Sequence, residues 1–304
     1  MKILITGATG LIGKEIIRQC RTADIPIHFL TTSAAKLSKE TNEKGFLWNP
    51  SNKEIDLKAF EGVTHIINLA GSTIAQRWTK SNKEKIVQSR IESIETLKKG
   101  IASLQNHELQ YFLGASAIGY YPSSFTEDYT AQWDLKTKED SFLRSTVLSW
   151  EQANQSMKAS GLKVGQLRIG LVLDHTDGAL PKFVTPVKWF VGAAFGSGNQ
   201  WQSWIHKTDL ANMFLHMSKN KTTGILNGVA PRPVTQSALV KAIANQLNKP
   251  LLLPNVPAFV MVLVLGKMAQ LVLESQKVSP DQWHALGFEF QFSELRAALK
   301  DLLS

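Results

Sequence analysis

Three glycines spaced by two residues, Gly7, Gly10 and Gly13, follow directly on the apolar run Ile3-Leu4-Ile5 and constrain this chain more than any other feature. The apolar run reads as a short strand buried on both faces. Beyond the turn, Leu11, Ile12, Ile16 and Ile17 recur at helical spacing. A strand, a glycine turn and a helix in that order predict a cradle for a diphosphate. Gly7 lets the chain reverse where a Cβ would oppose positive φ. Gly10 lets a pyrophosphate reach the main chain, and Gly13 lets the helix settle close on the strand. Phosphate oxygens there meet free N–H groups and the positive end of the helix dipole. The candidate contacts to a dinucleotide are Gly7, Thr9, Gly10, Leu11, Ile12 and Gly13. The alternative is a glycine turn with a structural role alone.

The rest of the chain alternates strand and helix, which predicts an α/β fold with a doubly wound parallel sheet. Strands are expected at Pro26–Thr31, Phe46–Trp48, Val63–Leu69, Leu109–Ala115 and Lys163–Gly170, the last continued by Leu171–Leu173. Glu54–Phe60 reads as a short helix. Long helices are expected at Lys80–Ser103 and Phe142–Ser160, and an apolar one at Ala258–Leu273. In such a sheet the ligand crevice lies at the carboxyl ends of the strands. That places Asn68, Leu69, Ala70 and Gly71 beside the cofactor, with a capping or loop role for Asn68 as the alternative. The end of the second strand carries Thr31, Thr32 and Ser33, with Lys36 close behind, and no carboxylate to hold a ribose 2′-hydroxyl. Hydroxyls and a lysine suit a 2′-phosphate, so NADP is expected over NAD; otherwise Lys36 faces water.

Ser116, Tyr120 and Tyr121 follow the fifth strand, where a serine and a phenol can polarise a carbonyl and carry its proton. Arg90, in the long helix before that strand, is the fourth candidate for catalysis. The alternative for the first three is a turn, and for Arg90 a surface position. Arg77, Trp78, Trp201 and Trp204 read either as the frame of an anion-tolerant pocket or as packing. His206, Asp209 and His216 lack the spacing of a zinc site, and no metal is expected.

Composition excludes other classes. The 304 residues, 43% hydrophobic and 19% charged, suffice for a large core in one domain or in a large and a small one. We read a cofactor domain over 1–170, to which segments near 205–230 return, and a smaller C-terminal α/β substrate domain over 171–304. The net charge of +9 is scattered, without an aromatic-basic stripe, so no nucleic-acid partner is expected. The longest apolar run, Ala258–Leu265, is too short to span a bilayer, and no membrane partner is expected. The single Cys20 and the absence of a signal peptide suit a reducing cytoplasm.

Several stretches resemble the extended short-chain dehydrogenase/reductase family: Gly7-Ala8-Thr9-Gly10-Leu11-Ile12-Gly13, Asn68-Leu69-Ala70-Gly71, and Ser116 followed by Tyr120. Others are similar, more narrowly, to its uncharacterised epimerase-family proteins: Ala70-Gly71-Ser72-Thr73-Ile74-Ala75 with Arg77-Trp78, Gln88-Ser89-Arg90, Gly119-Tyr120-Tyr121, Gly196-Ser197-Gly198 with Gln200-Trp201 and Ser203-Trp204-Ile205-His206, and Ala230-Pro231 with Pro233-Val234-Thr235. Residues 254–302 resemble the small domain of unknown function that ends those proteins. The resemblance implies a Rossmann sheet of about seven parallel strands, a C-terminal substrate domain and bound NADP. It also leaves a homodimer open, through the helices Lys80–Ser103 and Phe142–Ser160. The family's Tyr-x-x-x-Lys pair is missing: Ser141 and Ser145 stand in its place, in a helix read as starting at Asp140. Two functions therefore stand. One is an NADP-dependent epimerase or oxidoreductase acting on a small substrate such as a nucleotide sugar; the other is a non-catalytic NADP(H) sensor or scaffold.

Overall fold

Ile3, Leu4 and Ile5 form a strand with no exposed surface, β1 (Ile3–Thr6), as an apolar run between two parallel neighbours must. The computed structural model describes residues 1–37, 42–134 and 141–304, and residues 39–40 by their backbone. Asp140 lies outside the described residues.

In chain order, β1 leads to α1 (Leu11–Thr22), β2 (Ile27–Thr31), β3 (Glu43–Asn49), β4 (His65–Asn68) and α2 (Lys80–Ala102). Next come β5 (Tyr111–Ala117), α3 (Phe142–Gln155), β6 (Lys163–Ile169), α4 (Leu180–Lys188), α5 (Lys207–Asn220), β7 (Gly224–Gly228), α6 (Gln236–Gln246) and α7 (Ala258–Leu265). Strands β1 to β7 are all parallel and run β3-β2-β1-β4-β5-β6-β7 across the sheet. The order reverses between β1 and β4, the switch point where a doubly wound sheet opens its ligand crevice. Short strands at 39–40 and Glu54–Ile55 pair antiparallel with β3 and complete a nine-stranded sheet.

Helix α1 turns Ile16, Ile17 and Cys20 into the core and packs on α5, whose buried face carries Leu210, Met213, Phe214 and Met217. Burial pushes the Cys20 thiol up to about 12, so it is an inert apolar filler. Beyond β6 the chain is interleaved. Leu171–Leu173 pairs with Trp204–His206, Trp201–Gln202 with Val234–Thr235, and Lys277–Val278 with Asp128–Tyr129. The buried Asp209 carboxylate accepts from the amides of Gln291 and Phe292, both at 2.9 Å, and so fastens the C-terminal segment to α5.

Two sequence expectations need correction. Glu54–Phe60 is not a helix: Glu54–Ile55 joins β3, and Leu57–Phe60 is a 3₁₀ turn capped by Asp56. Ala258–Leu273 is not continuous, because Gly266 adopts φ +59° and closes α7; two short turns follow it.

Candidate active site

The glycine turn has the geometry its spacing demands. Gly7 sits at φ +65°, and a Cβ there would fall 2.9 Å from the Leu69 carbonyl carbon. A Cβ on Gly13 would fall 2.4 Å from the Gly7 oxygen, so α1 approaches β1 as closely as a backbone can. Gly10 differs: φ is −79°, and a Cβ would meet one atom, the Gly7 oxygen at 3.3 Å. The space in front of Gly10 is open. It is also the N-cap of α1, and having no side chain it leaves the first amides of the helix uncapped. The first turn of α1 carries no carboxylate. N–H groups without a side-chain cap, a helix dipole and a first turn free of carboxylates make a receptor for phosphate oxygens. The residues present therefore fit the diphosphate of a dinucleotide.

The turn after β4 is braced from below. The Thr6 hydroxyl donates to Asn68 Oδ1 at 2.5 Å and accepts from the amides of Leu69 and Ala70 at 3.1 and 3.0 Å. Asn68 is wholly buried, and its amide donates to Ser93 Oγ at 3.2 Å. Asn68 thus joins β1, β4 and α2, while Ala70 and Gly71 are left at the crevice. The side chain of Arg90 packs on Gly71, where a Cβ would lie 3.2 Å from its guanidinium carbon. Its Nη1 donates to the carbonyls of Ile86 and Ser72 at 2.7 and 3.2 Å, and the guanidinium lies over the Trp150 ring. Burial pulls its pKa down to about 10, so it remains a cation at neutral pH. At the end of β2, the Thr31 hydroxyl accepts from the Ser33 amide at 3.2 Å, whereas Thr32 and Lys36 are exposed.

Ser116 and Tyr121 belong to one buried network. The Ser116 hydroxyl donates to Glu151 Oε1 at 2.7 Å. Arg168 grips both oxygens of Glu151, at 2.7 and 2.9 Å, and reaches the Tyr121 hydroxyl at 3.1 Å. That hydroxyl also lies 2.8 Å from Asn227 Oδ1 and 3.0 Å from the Thr130 carbonyl. Burial pushes the Tyr121 phenol up, against the pull of Arg168. Tyr120 stands apart. Its ring is clamped by the Arg168 guanidinium, 3.4 Å from the ring centre, and by the edges of Tyr121 and Trp133. No bond from a described residue engages its hydroxyl. The sequence reading missed Glu151, Arg168 and Asn227.

Of the two readings of the tryptophans, packing describes Trp204 and Trp78. Trp204 is wholly buried and donates to the Arg232 carbonyl. Trp78 packs its edge on Phe142 and donates to the Ile74 carbonyl. Arg77 is exposed, and Trp201 is half-buried under the Lys277 ammonium. His206 contacts Asp301 at 3.2 Å and stacks on Phe292, and His216 lies 3.0 Å from the Leu286 carbonyl, so both brace the C-terminal segment.

The family follows from comparison. The profile of the NAD dependent epimerase/dehydratase family matches residues 3–227. The chain belongs to that family. A domain of unknown function matches residues 256–302. An epimerase family protein of Staphylococcus haemolyticus is 34% identical over 303 residues, covering 99% of each chain. Among solved structures, the human epimerase family protein SDR39U1 with NADPH superposes with a TM-score of 0.85 at 26% identity, covering 99% of each chain. A nucleoside-diphosphate sugar epimerase of Corynebacterium glutamicum gives 0.78 at 25% identity, over all of this chain and 58% of the other. This epimerase-family chain is an NAD(P)-binding protein on a Rossmann sheet.

The loop after Leu171–Leu173 flanks α1, since a Cβ on Gly178 would lie 3.1 Å from Leu11. Its Asp174 pairs with Lys207 and accepts from the amides of Thr176 and Asp177. Burial pushes the Asp174 carboxyl up, but Lys207, Thr176 and the two amides outweigh it and hold it well below the usual carboxylate range. A carboxyl depressed by folding stabilises above its unfolded pKa of about 4 and loses that contribution as pH falls through its folded value. Asp174→Asn should lower the thermal midpoint at neutral pH, and the gap to the natural chain should close on acidification. An equal gap at neutral and strongly acidic pH would contradict this.

Proposed function

We propose that the chain binds NADP(H) in preference to NAD(H) and acts as an epimerase or oxidoreductase. Its substrate is a small molecule bearing a carbonyl or secondary alcohol; nucleotide sugars are the class that a relative's name suggests. The observation that carries the reading is the uncapped, carboxylate-free start of α1 behind the open face of Gly10. The amides at Leu11, Ile12 and Gly13 take the diphosphate. Thr32, Ser33 and Lys36, with no carboxylate among them, take a 2′-phosphate. Ala70 and Gly71 bound the crevice. The nicotinamide, when bound, gives or accepts a hydride.

Tyr120 carries the substrate proton, as the phenol of this cluster whose hydroxyl no described residue engages. Arg168 supplies a fixed positive charge against its ring, where the wider family uses a lysine. Ser116 and Tyr121 are positioning residues, because Glu151, Arg168 and Asn227 occupy their hydroxyls. Arg90 offers a positive charge beside Gly71 to an anionic substrate group. The test is turnover of NADPH over a panel of carbonyl compounds and nucleotide sugars. Tyr120→Phe should cut kcat at least about a hundredfold while leaving nucleotide affinity unchanged.

A second reading, a non-catalytic NADP(H) sensor, rests on Ser141. It stands where the family's tyrosine is expected, and its hydroxyl caps α3 by accepting from the Arg144 amide at 3.2 Å. Tight nucleotide binding with no turnover on any panel member, and no effect of Tyr120→Phe, would favour that reading.

A further inference from the structure

Helix α7 has the sequence Ala-Phe-Val-Met-Val-Leu-Val-Leu, and none of its residues is buried. Phe259 is 72% exposed and Leu263 82%. An eight-residue helix of apolar side chains does not stand in water without a partner. Two further exposed apolar segments precede it in the chain: Trp189-Phe190-Val191 after α4, and Leu251-Leu252-Leu253. The Lys249 ammonium lies 4.5 Å from the Phe190 ring centre and joins these two segments. The Val256 amide donates to the Ala194 carbonyl, and the Gly196 amide to that of Val256, which ties the approach to α7 to the strip beyond Val191.

The chain that carries these segments is poor in carboxylates up to Glu274, which follows the turns beyond α7. Between Gly178 and Leu273 the sequence has a single carboxylate, Asp209, which is buried and bonded to two amides. Lys188 precedes Trp189, Lys249 precedes the Leu251 segment, and Lys267 follows α7. None of the three makes an ion pair among the described residues. A second copy meeting this face about a two-fold axis would set those lysines against themselves in an apolar interface. A surface of anionic headgroups over hydrocarbon satisfies both halves of the face.

We propose that this face docks on an anionic lipid surface. The side chains of α7 and of the segments 189–191 and 251–253 enter the headgroup boundary, and Lys188, Lys249 and Lys267 meet lipid phosphates. The helix lies on the bilayer, since no helix among the described residues is long and apolar enough to cross one. The sequence alone predicts no membrane partner, because it shows the length of the apolar run and not its exposure.

The test is flotation of the full chain with vesicles of phosphatidylcholine alone and with vesicles that also contain phosphatidylglycerol. The chain should float with the second kind, and added salt should weaken the attachment. Lys188→Gln and Lys267→Gln should each weaken it about fivefold. Leu263→Asp should abolish it with an unchanged circular dichroism spectrum and thermal midpoint, as an exposed position allows. Equal flotation with both kinds of vesicle overturns the proposal. So does no flotation of a chain that sediments as a monomer. No flotation, together with self-association that Leu263→Asp removes, also overturns it and assigns the face to a second copy.

Discussion

Gly10→Asp should leave the chain folded at nearly its natural stability and weaken NADPH binding about a thousandfold. The two effects separate because Gly10 is the one glycine of the turn with ordinary backbone angles and open space before it. A Cβ there meets only the Gly7 oxygen, at 3.3 Å, and as an N-cap an aspartate suits the helix. Its carboxylate would occupy the place of the diphosphate. Two like charges about 4 Å apart in a partly screened site repel by about 4 kcal/mol, which is about a thousandfold in affinity. Gly13→Ala is the contrasting variant. Its methyl would lie 2.4 Å from the Gly7 oxygen and 2.7 Å from the Ala8 Cα, so the helix must lift off the strand. Overpacking of that kind costs about 1–3 kcal/mol of stability or more. Thermal unfolding and nucleotide titration of both variants check the separation. If Gly10→Asp bound NADPH like the natural chain, the diphosphate would lie elsewhere.

Arg168→Ala should destabilise the chain by about 3–5 kcal/mol, the usual cost of removing one partner from a buried ion pair. The Arg168 and Glu151 side chains are 3% and 9% exposed. Without Arg168, the Glu151 carboxylate would keep the Ser116 hydroxyl as its remaining partner in the network, and Tyr120 and Tyr121 would lose the cation that holds them. Replacing both charges by apolar residues of similar size, Arg168→Met with Glu151→Leu, should restore most of the stability. The double variant should not restore turnover, since Tyr120 would still lack its clamp. Urea unfolding of the three variants, read with kcat, distinguishes a brace from an ornament. A single variant as stable as the natural chain would show that the pair does not hold β5, α3 and β6 together.

The parts of this molecule that were legible in sequence are those that backbone geometry dictates. Gly7 and Gly13 had to be glycines for a strand and a helix to meet at that distance, and the β-branched runs of β1 and β4 had to lie between other strands. The Ser116–Glu151–Arg168–Tyr121 network was hidden because its members come from separate elements. A signal for it existed: Arg168 stands between Leu167 and Ile169 in a strand buried on both faces, and a cation there requires a partner. Glu151 follows Trp150 on a helix whose inner face turns to the sheet, which offers one. The aromatic stretch 200–206 was ambiguous for a different reason. Trp201 and Trp204 belong to two short strands with different partners, Val234–Thr235 and Leu171–Leu173, and no pattern of seven residues tells the buried one from the half-buried one before the pairing is known. Gly266 was legible as a glycine but not as a stop, since its positive φ is a property of the fold it closes.

Titration calorimetry of the purified chain with NADPH, NADP, NADH and NAD puts the central claim to its most direct test. The start of α1 and the absence of a carboxylate at Thr31, Thr32 and Ser33 predict heat with NADPH and NADP, and weaker binding of NADH and NAD, which lack a 2′-phosphate. No heat with any of the four would contradict the account.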